Sequence, residues 1–142
     1  MFHLHERLAA DTVEVTRWPL CRVLLMNDRT YPWLILVPQR AEVREIHQLA
    51  AADRARLTEE VAAAARALET ECGADKMNVA ALGNVVAQLH VHVIARFRSD
   101  PAWPRPVWGV VPSEAYDTEG MAAMMARLRP ALSAAAESLG EI

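Results

Sequence analysis

Gln88, His90 and His92 are spaced two apart, with Leu89, Val91 and Val93 interleaved between and after them. Alternation of polar and apolar residues marks a half-buried β-strand. Side chains two apart on a strand share a face and lie about 6.6–6.8 Å from each other along the chain. The spacing therefore predicts two imidazoles and an amide in a row, backed by an apolar face that can bury and hold them. Such a row suits phosphate chemistry or a metal. A neutral imidazole near its pKa is a good nucleophile at pH 7, able to attack phosphorus and form a covalent phosphoramidate. Neighbouring donors would stabilise the charge that builds on the equatorial oxygens. The alternatives are a partly exposed strand with two bystander histidines, and a zinc site, which needs a third ligand besides the pair. His3, His5 and His47 are the other histidines. None has a diagnostic spacing to the pair, and they read as surface or packing residues, so no metal site is expected.

The row must be positioned by other elements. Residues 1–11 read as a short lead-in with helical character, and Thr12 to Val15 as a short strand. Cys21 to Met26 and the apolar run Trp33 to Val37, closed by Pro38, read as two strands of a hairpin joined by the turn residues Asn27 to Pro32. Residues 41–49 can hold one helical turn. Asp53 to Cys72 is the strongest helix: Leu57, Val61, Ala64, Ala65 and Leu68 recur at spacings of three and four, and Gly73 stands where a left-handed cap is wanted. Lys76 to Leu82 reads as a strand, Gly83-Asn84 as a turn, and Gln88 to Phe97 as the histidine strand. The loop from Arg98 to Trp108 carries three prolines and two tryptophans. Arg96 and Arg98 are candidate phosphate clamps, and Trp103 and Trp108 a lid or an interface patch. Thr118 to Leu139 is helical, with a kink or break expected at Pro130. The order is that of an α+β fold: an antiparallel sheet of about five strands, one long central helix and a C-terminal helix.

A chain of 142 residues with 53% hydrophobic content is expected to form a single unit, 1–142, with a real core. A net charge of −3 gives no footprint for a nucleic-acid polymer, though a single nucleotide can be held by a few placed groups. No apolar run approaches the ~20 residues that span a bilayer. The charged N-terminus lacks a signal core. Cys21 and Cys72 are too few for a disulfide framework and read as free thiols of a reducing compartment. A cytoplasmic protein with no membrane partner is expected.

The stretch Gly83-Asn84-Val85-Val86-Ala87-Gln88-Leu89-His90-Val91-His92-Val93-Ile94 resembles the signature of the histidine triad (HIT) family of nucleotide hydrolases and transferases, roughly Gly-Gln-Ser/Thr-x-x-His-x-His-x-His followed by two apolar residues. Upstream, Met26-Asn27-Asp28, the proline-containing turn and Trp33 to Pro38 resemble the family's nucleoside-binding hairpin. The likeness covers about residues 20–97. It implies a HIT-like α+β homodimer, with sheets joined edge to edge, acting at the α-phosphate of a purine nucleotide substrate such as a diadenosine polyphosphate or a nucleoside phosphoramidate. His90 takes the place of the family's nucleophile, and His92 that of the last triad histidine. Asn84 would donate to phosphate, Asn27 or Asp28 would hold the ribose hydroxyls, and Asn78 could also donate. No cofactor is required of the protein, and Mg²⁺ could accompany a polyphosphate substrate. Two positions depart from the pattern: Gln88 replaces the first triad histidine, and Val85 replaces the Ser/Thr. Gln can hydrogen-bond but cannot change its charge. The departures leave open a nucleotide-binding module with weakened catalysis.

Overall fold

A computed structural model describes residues 1–139; the expected unit extends to residue 142, and 140–142 lie outside the described part. The chain runs α1 (Glu6–Asp11), β1 (Thr12–Arg17), β2 (Cys21–Met26), β3 (Trp33–Pro38), a 3-10 turn (Ile46–Gln48), α2 (Ala51–Cys72), β4 (Lys76–Ala80), β5 (Val91–Arg96) and α3 (Thr118–Leu139). The five strands form one sheet in the order β1-β2-β3-β5-β4, antiparallel throughout.

The two sides of this sheet have different duties, and strand parity sorts the residues between them. Val23, Leu25, Leu34, Leu36, Val91, Val93 and Ala95 face the helices, where they pack with Leu57, Ala64 and Leu68 of α2 and Leu128 and Leu132 of α3. Leu24, Trp33, Ile35, Val37 and Ile94 face the other way, against Leu8 of α1, Val86 and the loop residues Ala102 and Val107. β3 is buried along its whole length, as its unbroken apolar run predicts. Each fully buried leucine stabilises the fold by about 1.5–3 kcal/mol relative to exposure.

Two features of the helices are set by packing rather than by local propensity. α3 continues through Pro130, with Leu128 and Leu132 on either side both buried. Packing of that apolar face against α2 outweighs the lost backbone hydrogen bond. Within α2, Glu60 belongs to the buried face. Its carboxylate accepts from the backbone N–H groups of Leu20 (3.0 Å) and Cys21 (2.8 Å), and Arg56 lies 3.9 Å away. A buried carboxylate is tolerable because it satisfies donors at the start of β2 that nothing else reaches. Gly73 closes α2 at φ 65°, ψ 40°, the left-handed cap its position demands.

The histidine strand is shorter than expected. Gln88, Leu89 and His90 lie outside the ladder, which begins at Val91. β5 is interior to the sheet, paired with β3 and β4, and β4 forms an edge. Cys21 and Cys72 are free thiols. Among the described residues, no helix is long and apolar enough to cross a membrane.

Candidate active site

His92 projects from β5 onto the sheet face away from the long helices, and His90 ends the segment that leads into that strand. Both are 7% exposed. Their rings stand edge to face at 4.9 Å. The hydrogen bonds fix both tautomers. His90 Nδ1 lies 2.7 Å from the Gln88 carbonyl oxygen. A carbonyl can only accept, so in the neutral ring Nδ1 carries the proton and Nε2 keeps its lone pair. The Trp33 indole Nε1–H donates to His92 Nδ1 at 3.0 Å. An indole can only donate, so the proton of neutral His92 sits on Nε2. The adjacent rings thus offer complementary nitrogens, one nucleophilic and one a hydrogen-bond donor.

Aromatic neighbours keep His92 neutral. Trp33 and Trp108 meet its ring edge to face at 5.6 and 5.0 Å. Burial pushes its pKa down from 6.5 to about 4, and His90 adds to the effect. The histidines open into a cavity of about 340 Å³. Leu8 of α1, Met26, Ile35, Val86 and Trp108 supply apolar walls, Arg7 and Asp11 of α1 supply charge, and the turn Gly83-Asn84-Val85 forms a rim. A mostly apolar cleft with a few convergent polar groups is the usual form of a small-molecule site. A second cavity of about 350 Å³, lined by Arg7, Ala10, Asp11, Met26, Asn27 and Ser113, shares Arg7, Asp11 and Met26 with the first. Among the described residues no three His, Cys, Asp or Glu side chains converge to hold a metal ion.

Residues 7–99 match the family model of the HIT domain. The chain belongs to the HIT domain family. It is similar to a histidine triad protein from Marinobacter aquaeolei, at 51% identity over 94% of this chain and 98% of that one, with a TM-score of 0.92. Histidine triad proteins from Sinorhizobium meliloti (48% identity, 92% and 96% covered, TM-score 0.89) and Bradyrhizobium japonicum (45%, 92% and 98%, 0.90) are similarly alike. No curated protein matches the chain.

The structure brings together only part of the set expected from the HIT signature. His90, His92 and Asn84 line the main cavity, and Asn27 lines its neighbour while its Oδ1 accepts from the Tyr116 N–H at 3.0 Å. Asp28 does not line either cavity. It is buried and accepts from the N–H groups of Thr30 and Glu114, tying the β2–β3 turn to the segment before α3. Asn78 is also occupied elsewhere, its Oδ1 accepting from Arg96 at 2.8 Å. Gln88 leaves the row altogether. Its side chain is bound to the N-terminal segment, and only its backbone carbonyl serves His90.

Arg96 is no phosphate clamp: it is 1% exposed. Its guanidinium forks onto Asp100 at 2.8 and 3.0 Å and lies between the rings of Tyr31 and Trp103. Asp100 also accepts from the backbones of Phe97, Ala102 and Trp103, which folds the loop that carries Trp108. Burial alone would raise the Asp100 carboxyl, but the Arg96 hydrogen bond and the Phe97 and Trp103 N–H donors outweigh it and hold the pKa below its ordinary value. Trp33, Trp108 and the α1 residues are the site components that the motif alone does not point to. An indole at the head of β3, diagonal to His92 across the ladder, is the available signal for Trp33.

Proposed function

We propose that this HIT protein is a nucleotide-binding hydrolase or nucleotidyl transferase that works through a nucleotidyl-histidine. The observation that carries the reading is the pair of opposite tautomers. His90 Nε2, its lone pair exposed because Nδ1–H is engaged by the Gln88 carbonyl, attacks the α-phosphorus. The P–N bond forms as the P–O bond to the leaving group breaks and the leaving group departs with that electron pair. His92 Nε2–H and the Asn84 amide donate to the phosphoryl oxygens, where charge is greatest in the transition state. Water then attacks phosphorus and gives up a proton to bulk solvent. The P–N bond breaks, returning its electron pair to Nε2.

The same geometry favours a leaving group that needs no proton. His92 is held neutral and acts as a hydrogen-bond donor, and Gln88 is outside the cavity. Polyphosphates, such as the distal part of a diadenosine polyphosphate, leave as stabilised anions. Amines require an acid. The nucleoside would occupy the apolar cleft and the adjoining cavity beside Asn27. Mg²⁺ would arrive with the polyphosphate rather than on protein ligands. The exposed edge strand β4 and the exposed Val79 on it support a homodimer, since an unpaired edge is a template for a second strand.

The test is a brief incubation with nucleotide labelled at the α-phosphate, followed by a denaturing quench under mildly alkaline conditions. Label is expected on the wild type. His90→Ala should lose the label and turnover while still binding nucleotide, because it lacks the attacking atom and keeps the walls. Near-normal turnover by His90→Ala would overturn the mechanism.

A further inference from the structure

Gln88 performs two separate tasks with two separate groups. Its backbone carbonyl anchors His90. Its side-chain amide makes a two-point bond to backbone more than eighty residues away: Oε1 accepts from the His5 N–H and Nε2 donates to the His3 carbonyl, both at 2.8 Å. The segment so held is not a loose terminus. Phe2 and Leu4 pack against the apolar cluster of the site-facing sheet surface, and Arg22 lies over the Phe2 ring. The His5 side chain then caps α1, its Nδ1 accepting from the Arg7 N–H at 3.0 Å. α1 in turn places Arg7, Leu8 and Asp11 in the cavity wall.

We propose that Gln88 is a positioning residue that docks this N-terminal wall, so that it sets the affinity for substrate and leaves the chemical step alone. An amide suits the task because it offers an acceptor and a donor at once, matching one N–H and one C=O of an extended backbone. The nucleophile does not depend on that side chain, since its anchor is main chain. A wall docked for only part of the time would raise the apparent dissociation constant in inverse proportion to the docked fraction.

His5 allows the bond to be removed from the other side. It sits at φ −55°, ψ 136°, which proline can adopt. His5→Pro therefore deletes the N–H that Gln88 accepts, while His5→Ala deletes only the side-chain cap. Gln88→Ala, His5→Pro, His5→Ala and the double variant Gln88→Ala/His5→Pro would be compared in the full chain. Amide hydrogen exchange over residues 6–11 is measured without nucleotide, and KM and kcat with a diadenosine polyphosphate. Gln88→Ala is expected to speed exchange in α1 by roughly tenfold and to raise KM by up to about tenfold, the scale of two modest net hydrogen bonds, with kcat within about twofold. His5→Pro, which removes one of the two bonds, should act in the same direction and less strongly, beyond any effect of His5→Ala, and the double variant should be little worse than Gln88→Ala alone. Gln88→Glu, which sets a carboxylate oxygen against the His3 carbonyl in place of the donor, should be no better than Gln88→Ala. Unchanged exchange in Gln88→Ala overturns the proposal. So does a fall in kcat at constant KM, or effects of Gln88→Ala and His5→Pro that simply multiply. The kinetic arm rests on the nucleotidyl-transfer reading and the exchange arm does not. Loss of turnover in every protein with the exchange pattern intact would therefore count against that reading alone.

Discussion

His92 should leave a measurable mark on the acid stability of the protein. Its pKa lies at about 4 in the folded state, against 6.5 for an ordinary histidine. The unfolded chain therefore binds more protons than the native one between those values, and stability rises with pH across that window. At about 1.4 kcal/mol per pH unit, the group makes the fold about 3 kcal/mol weaker at pH 4 than at pH 7. The perturbation is His92→Asn, whose side-chain oxygen can still accept from Trp33 Nε1–H but cannot take up a proton near neutral pH. The assay is urea unfolding of both proteins at pH 7, 5.5 and 4.5. Asp100 does not confuse the comparison. Its carboxyl is held low, so its contribution is lost only as pH falls below about 3.8, and equally in both proteins. The variant is expected to start less stable at pH 7 and to lose about 2–3 kcal/mol less on acidification. Parallel pH dependences would mean that His92 is hydrated and titrates normally. The neutral-donor role assigned to it would then fail.

Other parts of the structure give further expectations. Glu60→Ala strands the Leu20 and Cys21 N–H groups and should cost about 3 kcal/mol or more in urea unfolding; a loss under about 1 kcal/mol would show that water reaches them. Asp100→Ala leaves the buried Arg96 guanidinium without its carboxylate and should cost about 3–5 kcal/mol, read as a fall in thermal midpoint. An unchanged midpoint would show that Arg96 is not held by that pair. Sedimentation at micromolar concentration should find a dimer, and Val79→Lys on the edge strand should weaken it; a wild-type monomer would remove the assembly reading.

Fold and site were legible to different degrees, for physical reasons. The α2 stripe, the Gly73 cap and the β2–β3 hairpin are local patterns, and each stands where periodicity or turn chemistry puts it. At Pro130, of the kink or break that local propensity favours, the break does not occur, because burial of Leu128 and Leu132 keeps the helix continuous. His90 and His92 are visible through spacing alone. Gln88, Asp28, Asn78 and Arg96 carry the right chemistry for a phosphate site, yet each is bound to backbone or to a neighbour that the linear chain does not reveal. Glu60 is the converse, a helix charge that is buried because two distant N–H groups need it. The motif reports residue type and strand parity. It does not report which polar groups already have partners.

The division of the sheet into a helix side and a cleft side makes the length of β5 more critical than most of its side chains. His92 lines the cleft and Ile94 packs on the same side of the sheet, while Val91, Val93 and Ala95 face the helical core. Deletion of a single residue inside this strand would shift the pairing frame. An imidazole would go into hydrocarbon and a valine into the cleft, and the link from Trp33 to His92 would be lost in the same event. The strand is pegged at its end by Arg96, whose hold on Asn78 and Asp100 fits one frame only. The stretch from Leu82 to Val86 lies outside the ladder at the rim. That rim carries Asn84 and the buried Val86, so its length is constrained by the cleft, whereas the length of β5 is constrained by the whole sheet, and functional descendants of this chain should keep the six residues Val91–Arg96 in number.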